Sequence, residues 1–375
     1  MNKIFIVSNQ LPLKQIIQAL EQLAPPSLQE SYDNSGLITG NPEQMIQKAI
    51  LTLDCTEAVI EEAIQVQAQL IIAHHPIIFS GLKKLNGSTY VERTVIKAIK
   101  NDIAIYALHT NLDNMLYGVN HKIADKLGLQ STRSVLKPLY NQLCKLHTYI
   151  TEDKADELRN ALFKAGAGQI GHYSECSFNI IGEGTFKGDG QSNPALGRPL
   201  VREHARELKI EIILPIWRKN EVLESLRKAH YYEEVAYELY PTLNAHQETG
   251  SGLIAELRTP MKETDFLQLI RSKLHTGVIR HSGLTGKFIK RVAICGGAGI
   301  FLLSDAIRKE ADVFITSDVK YHQFFDADRN ILLCDIGHYE SEQFTVEIFQ
   351  ELLNDKFPTF AALFSKTNTN PVNYY

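Results

Sequence analysis

Short continuous apolar runs alternate along the chain with longer stretches in which apolar residues recur at helical spacing. In the first third, three short runs predict buried strands, because each is too short for a helix and has polar or turn residues at its ends. They are AILTLD (49–54), QLIIA (69–73) and IAIYALH (103–109). Predicted helices at about 56–67 and 91–101 lie between them. This alternation indicates βαβ units and a mostly parallel sheet.

The pattern changes between residues 143 and 243. Predicted strands at 143–150, 177–186, 208–216 and 235–243 are combined with predicted helices at about 153–165 and 220–230. The resulting order, β-α-β-β-α-β, is that of a ferredoxin-like domain. After Gly250 the α/β pattern returns, with predicted strands at 291–297, 313–318 and 330–337. We therefore predict a discontinuous α/β domain, formed by residues 1–142 and 244–375, that is interrupted by a ferredoxin-like insert at 143–243.

Composition narrows the class of protein further. A chain of 375 residues exceeds the size at which one core usually keeps growing, which agrees with two domains. The net charge is −4 and there is no long basic run, so nucleic-acid binding is not indicated. Five scattered cysteines without a CxxC pair argue against a disulfide framework and a thiolate zinc site. Without an evident signal peptide or a membrane-spanning apolar stretch, we expect a cytoplasmic protein that does not bind membranes.

Three predicted strands are followed directly by residue types that bind metal ions. They are His74 and His75 after the first, His109 and Asp113 after the second, and His338 and Glu342 after the third. In α/β proteins, the carboxyl ends of buried strands are where ligands usually bind. The alternative for the adjacent histidines is ordinary packing, with one ring hydrogen-bonded in the core and the other exposed.

Five of these groups suit a site for two ions better than a site for one. His338 and Glu342 are four residues apart, so on a helix they share a face. If the Glu342 carboxylate bridges two ions, then His74, His75, Asp113 and His338 complete about three protein ligands for each ion. Positions then remain for water, as a catalytic site requires. Two ions about 3.5–4 Å apart would activate that water near neutral pH.

Other residues are less specific candidates for orienting ligands, transferring protons or binding phosphate. Asp318 and His322 follow the predicted strand at 313–318 and can orient ligands or move protons, although Asp318 can equally cap a helix. His109 is a candidate acid, or a hydrogen-bonded core histidine. The glycines of CGGAG (295–299) can form a phosphate-binding turn or simply a tight turn between strand and helix.

Four segments together resemble the Nif-three-like dinuclear-metal family, whose members are often called GTP cyclohydrolase 1 type 2 homologs. The segments are YDNSGLITG (32–40), LIIAHHPIIFSGLKKL (70–85), ALHTNLDN (107–114) and DIGHYESE (335–342). The family's metal positions fall on His74, His75, Asp113, His338 and Glu342. Residues 166–186 and 229–241 resemble the nitrogen-regulator-like or copper-tolerance-like insert of the longer members. One departure is Ser317, where many relatives have glycine.

This resemblance implies a function and an assembly that composition does not show. It implies a toroidal homohexamer and a hydrolase with two divalent ions, which zinc, iron or manganese would suit. In the GTP reaction, activated water attacks C8 of guanine, formate leaves, and a dihydroneopterin triphosphate forms. His109, Asp318 and His322 are the candidates for the proton-transferring groups. The alternatives are a metal-dependent phosphoesterase acting on nucleotides or nucleic-acid ends, and a non-catalytic metal-binding or regulatory hexamer.

Overall fold

The computed structural model describes residues 10–129 and 131–375, and this part of the chain divides into two compact units. The first unit comprises the described residues up to Lys137 together with Thr249–Tyr375, and the second comprises Pro138–Glu248. In the described part of the chain, every helix is too short or too polar to traverse a lipid bilayer.

The first unit begins with an alternation of strands and helices. Its first segments are β1 (Leu11–Pro12), α1 (Leu13–Leu23), β2 (Gly36–Thr39), β3 (Met45–Ile46), β4 (Lys48–Asp54), α2 (Glu57–Gln65), β5 (Leu70–His75), α3 (Tyr90–Lys100), β6 (Ala104–Ala107), α4 (Thr110–Asp113), α5 (Val119–Lys126) and β7 (Ser131–Pro138). Helices α2 and α3 each begin after a threonine, Thr56 and Thr89, whose hydroxyl accepts a hydrogen bond from a backbone N–H of the first turn.

The second unit follows the order predicted for residues 143–243. It contains β8 (Leu143–Ile150), α6 (Ala155–Lys164), β9 (Ser177–Phe186), β10 (Glu203–Pro215), α7 (Lys219–Ala229) and β11 (Tyr237–Pro241). The strands form an antiparallel sheet in the order β11-β8-β10-β9. Apolar residues of α6 and α7 form a core with alternate residues of the two central strands, including Leu146, Ile150, Ile210 and Ile212.

The rest of the first unit follows residue 249. Its elements are β12 (Gly250–Lys262), α8 (Glu263–Lys273), β13 (Arg280–His281), β14 (Phe288–Ile294), α9 (Leu303–Arg308), β15 (Val313–Thr316), β16 (Leu332–Asp335), α10 (His338–Glu342), α11 (Thr345–Lys356) and β17 (Ala361–Phe364). Three of these strands, β14, β15 and β16, correspond to predicted strands. Strand β12 has no counterpart in the predicted pattern, because its glycines and charged residues obscure the alternation. Its pairing with β14 is irregular between Glu256 and Met261.

Two larger sheets form the frame of the first unit. One has the order β17-β4-β5-β6-β2, with β17, β4, β5 and β6 parallel. The other has the order β13-β16-β15-β14-β12-β7, with β14, β15 and β16 parallel. Leu70 and Ile72 of β5 pack in the largest core cluster, whereas Ile71 and Ala73 pack in a second cluster. Strand β5 is therefore apolar on both faces, as the continuous run in the sequence predicted.

Candidate metal centre

Imidazoles and carboxylates from both sheets converge at the carboxyl ends of their parallel strands. His74 and His75 are the last two residues of β5, and Asp54 is the last residue of the neighbouring β4. From the other sheet, His338 begins α10, which follows β16 and ends at Glu342. The parallel strands thus bring together residues from opposite ends of the sequence, at the position where α/β sheets usually bind ligands.

The first cluster consists of His74, Asp113 and Glu342. The Nε2 atom of His74 lies 3.7 Å from Asp113 Oδ1 and 3.8 Å from Glu342 Oε1. Its Nδ1 donates a hydrogen bond of 2.7 Å to the backbone oxygen of Leu108. Nε2 of the neutral ring is therefore an acceptor, and it is completely buried without a hydrogen-bond partner. An unpaired buried polar atom costs about 1–3 kcal/mol. A lone pair that faces two carboxylates is an arrangement that a cation satisfies.

The second cluster consists of His75, His338 and Glu342. Glu342 Oε2 lies 2.9 Å from His75 Nε2 and 3.1 Å from His338 Nε2. The two imidazole nitrogens are 3.3 Å apart. Glu342 therefore presents one carboxylate oxygen to each cluster, and the adjacent histidines of β5 serve different clusters. Both groups of three have ligand atoms within 4.8 Å of one another, as metal binding requires.

Acceptor groups fix the orientation of each ring from its opposite side. Nδ1 of His75 donates to Asp54 Oδ1, and Nδ1 of His338 donates to Asp318 Oδ2, each at 2.7 Å. A carboxylate or backbone carbonyl on the far nitrogen is typical of metal-binding histidines, because it fixes the tautomer and the ring orientation. Asp318 adopts a left-handed conformation, with φ at 56°, that aspartate tolerates better than most residues. With Ser317 before it, Asp318 still reaches His338.

His109 lies beside the two clusters, and His322 does not belong to them. Ligand atoms of His109, His74 and His75 form a third group within 4.8 Å, and the His109 ring centroid is 5.4 Å from each of the other two rings. Nδ1 of His109 donates to Asp33 Oδ1 at 2.7 Å. The His322 ring is exposed and contacts Tyr321 and Phe325. Among the described residues, none of the groups suited to a metal contains His322.

The charges of the cluster strongly perturb its titration in the absence of metal. Burial alone would lower the pKa of both histidines of the second cluster, but hydrogen bonds to Asp54 and Glu342 raise the pKa of His75 to about 9. The charge of Glu342 and the hydrogen bond to Asp318 raise the pKa of His338 to about 11. Burial, followed by the negative charge of Glu342, raises the pKa of Asp113 to about 7. The carboxylates therefore hold positive charge at this position even without an ion.

The glycine-rich turn after β14 packs directly against Glu342. A Cβ atom at Gly297, which has a φ of 62°, would lie 2.4 Å from Glu342 Oε1. The backbone N–H groups of Gly296, Gly297 and Gly299 already donate to side-chain oxygens of Asn120, Ser341 and Thr316, respectively. These N–H groups are thus not free to bind a phosphate. The structure favours the interpretation of CGGAG as a tight turn that leaves space for a ligand carboxylate.

Two carboxylates of the site, Asp33 and Asp54, were not predicted from the sequence. Asp54 ends a predicted strand and pairs in register with His75, so the parallel pairing of β4 and β5 was the signal that could have found it. Asp33 lies in a turn, where it accepts hydrogen bonds from His109 and from the N–H and hydroxyl of Thr110. Although burial opposes the charged form, these bonds hold the pKa of Asp33 well below its usual range.

The donor set fits divalent ions that accept imidazole and carboxylate ligands, such as zinc, iron or manganese. The two sheets and this buried cluster define a mixed α/β protein with a candidate metal-binding site. A family model described as Duf34/NIF3 (NGG1p interacting factor 3) matches residues 11–371. The chain belongs to the Duf34/NIF3 family, which confirms the resemblance found in the sequence.

Relatives of known sequence and structure cover nearly the whole chain. A protein of Halalkalibacterium halodurans named GTP cyclohydrolase 1 type 2 homolog is 39% identical over 363 residues, or 96% of this chain and 98% of the relative. A protein of the same name from Bacillus subtilis is 37% identical over 366 residues, or 96% and 98%. The crystal structure of a Bacillus cereus protein related to NIF3 has a TM-score of 0.85 and 34% identity. It covers 97% of this chain and 99% of that one.

Proposed function

We propose that the chain is a hydrolase that depends on two divalent metal ions. The observation that carries this proposal is the position of Glu342, whose two oxygens face two different groups of imidazole and carboxylate ligands. His74 and Asp113 complete the ligands of one ion, and His75 and His338 complete those of the other. Three protein ligands for each ion leave coordination positions for water and substrate, as catalytic sites require.

The side chains around the two ions would position the ligand rings and transfer protons. Bound divalent ions would lower the pKa of water and neutralise developing negative charge. Asp54 and Asp318 hold the rings of His75 and His338 in place through their Nδ1 atoms. Asp33 holds His109 in the same way through Nδ1, so that Nε2 is the ring nitrogen that can transfer a proton. We propose His109 as the proton-transferring residue, with Asp318 in a positioning role and the exposed His322 outside the site.

The name of the relatives makes GTP the first substrate to test. Hydrolysis of the guanine imidazole ring would release formate and yield 7,8-dihydroneopterin triphosphate. A phosphoesterase acting on nucleotides or nucleic-acid ends would use the same ligand set, because both reactions need activated water and stabilised negative charge. Formate and phosphate are therefore the two products that distinguish these reactions.

The family resemblance and the element order support three further proposals about the whole protein. We propose that the second unit is an inserted ferredoxin-like domain, on the basis of its β-α-β-β-α-β order and its antiparallel sheet. We propose a toroidal homohexamer, for which light scattering should give about six times the chain mass of 42.2 kDa. We propose the cytoplasm as its location, because the cysteines are free and mostly buried.

The decisive experiment is a substrate screen of metal-loaded, full-length protein. Zinc-, iron- and manganese-loaded samples are incubated with GTP, other nucleotides and bis-p-nitrophenyl phosphate, and formate and phosphate are measured. His338→Ala and Glu342→Gln should abolish turnover. Glu340→Gln is the matched control, because Glu340 is a buried carboxylate of the same helix outside the ligand groups. A protein that binds two ions and hydrolyses none of these compounds would instead be a non-catalytic metal-binding or regulatory assembly.

A further inference from the structure

Two exposed aromatic side chains lie beside the candidate metal centre. Tyr32 is 62% exposed and Phe79 is 50% exposed, and their ring centroids are 6.3 Å apart. Phe79 is in turn 6.0 Å from His109, at an interplanar angle of 74°. Because His109 lies 5.4 Å from both His74 and His75, the aromatic rings form a continuous row from solvent to the metal ligands.

Hydrogen bonds hold the two loops that carry these rings. Asp33, which follows Tyr32, accepts hydrogen bonds from His109 Nδ1 at 2.7 Å and from the N–H of Thr110 at 3.0 Å. The next residue, Asn34, donates its Nδ2–H to the backbone oxygen of Ile78 at 2.6 Å, one residue before Phe79. The same contacts that orient His109 therefore fix both aromatic residues. Both loops are therefore held in place by contacts within this chain.

Their exposure is the feature that needs an explanation. An aromatic ring gains most by burial, and neither ring is covered by the described residues around it. The 42° angle and the short distance between Tyr32 and Phe79 leave no slot for a ligand between them. A flat ring that stacks on the exposed face of one of these side chains would also contact the other, because their centroids are only 6.3 Å apart. Stacking of this kind accepts different bases, because every base has a π-face.

The loop that carries Phe79 also supplies positive charge. Lys83 and Lys84 follow Phe79 on the connection between β5 and α3, and both are exposed. Within the described residues, neither lysine has a hydrogen bond or an ion pair. A ligand that combines a flat ring with a negatively charged group would meet complementary chemistry here, from the rings, the lysines and the bound metal ions together.

We propose that Tyr32 and Phe79 form a stacking platform for the planar ring of an anionic heteroaromatic substrate of the nucleotide class, and that they hold this ring beside His109. The platform is a specificity element of the site described above, so it rests on the proposed metal-dependent function. It assigns recognition of the ring to these two side chains and leaves the phosphate to the metal ions.

The test compares two ribose phosphates, of which only one carries a heteroaromatic base. Binding of guanosine monophosphate and of ribose 5-phosphate to zinc-loaded, full-length protein is measured by equilibrium dialysis. The wild type should prefer guanosine monophosphate by about tenfold or more, as base stacking typically contributes. Phe79→Ala and Tyr32→Ala should each remove most of this preference and leave the affinity for ribose 5-phosphate unchanged. Phe79→Tyr and Tyr32→Phe should retain it.

Controls separate the platform from an interface and from the metal function. Tyr173→Ala, in the second unit, removes an aromatic side chain that is 75% exposed and should change nothing. Equal affinity for both phosphates would overturn the platform and leave the metal-dependent function standing. If neither phosphate binds, the platform is overturned, and the substrate screen decides separately on the metal-dependent function. If Phe79→Ala and Tyr32→Ala alter the oligomeric mass by light scattering and the preference persists, the patch is a contact between copies of this chain and the platform is overturned.

Discussion

At the scale of single residues, Glu342 is the side chain that connects the two ligand clusters of the site. Its carboxylate is almost completely buried and contacts imidazoles from both β5 and α10. Burial favours the neutral form, yet the charge and hydrogen bonds of His338 hold the pKa of Glu342 well below its usual range. A charged carboxylate in such a position needs positive charge on both sides, and two ions would supply it.

The first prediction concerns the number of ions. Elemental analysis of the loaded protein should give about two divalent ions per chain, because each Glu342 oxygen faces a complete group of ligands. Glu342→Gln should lower the content to less than one ion, since the amide cannot bridge. Glu340→Gln should retain two. A reproducible value near one in the wild type would contradict the bridging role of Glu342.

The affinity of the second cluster for an ion should depend strongly on pH. In the metal-free protein the pKa of His75 is about 9 and that of His338 is about 11, so both rings are protonated at pH 7. An ion must displace these protons to bind. Affinity should therefore rise steeply with pH up to about 9, where two protons are displaced, and less steeply from there to about 11, where only the proton of His338 remains. Two displaced protons correspond to a limiting slope of about a hundredfold per pH unit.

Competition with a chelator at pH 6, 7 and 8 measures this slope. His338→Ala should release one proton fewer than the wild type when zinc is added in weakly buffered solution. An affinity that does not change between pH 6 and 8 would show that the second cluster does not bind the ion.

The ligand-type residues are predictable from the sequence because each follows an apolar run or falls at helical spacing. Asp33 and Asp54 are not, because their importance depends on which histidine each of them contacts. Asp54 is paired with His75 by the register of two strands, and Asp33 reaches His109 across 76 positions of the chain. Such pairing is a property of the folded molecule and leaves no local pattern in the sequence.

At the scale of elements, the segment after β17 reaches the candidate metal centre. Ser365 and Thr367 donate hydrogen bonds from their hydroxyls to Glu62. Two residues further on, Thr369 Oγ1 donates at 2.8 Å to Asp54 Oδ2, the oxygen that His75 does not use. The polar residues after β17 have no local pattern from which this hydrogen bond to Asp54 could be predicted.

The third prediction follows from this contact. Thr369→Val should weaken zinc binding by about tenfold, the low end of the effect for residues that orient metal ligands, because Asp54 loses a restraint. Thr369→Ser should keep the affinity, since it keeps the hydroxyl. Thr367→Val is the matched control, because Thr367 contacts Glu62 and no ligand. Equal affinity of Thr369→Val and the wild type, with unchanged thermal stability, would remove the segment from the site.

At the scale of the whole molecule, the site residues all belong to the first unit. The second unit begins and ends at neighbouring positions, since the N–H of Thr242 donates to Leu143 O at 3.0 Å and that of His246 donates to Leu139 O at 3.1 Å. A short linker can therefore replace the intervening residues without stretching the chain. The periodicity of the sequence predicted the order of elements in the second unit and part of that order in the first, but it could not predict these closely spaced ends.

The fourth prediction is that replacing residues 143–243 by a short glycine-serine linker leaves a folded α/β core that binds metal. Circular dichroism should show cooperative unfolding, and elemental analysis should still give about two ions per chain. Chelator should lower the melting temperature of the shortened and the full-length protein alike. A deletion variant that folds and retains no ion would show that the second unit is needed for the site.

The separation of the ligands in sequence also has a consequence for the timing of synthesis. More than 200 residues lie between Asp113 and Glu342. Domains fold as units while the ribosome extends the chain at about 5–20 residues per second. At this rate, roughly ten seconds or more pass between the synthesis of His75 and the synthesis of Glu342. Neither Glu342-containing cluster can form before Glu342 itself has been synthesised, so an ion would bind at these positions only after that point.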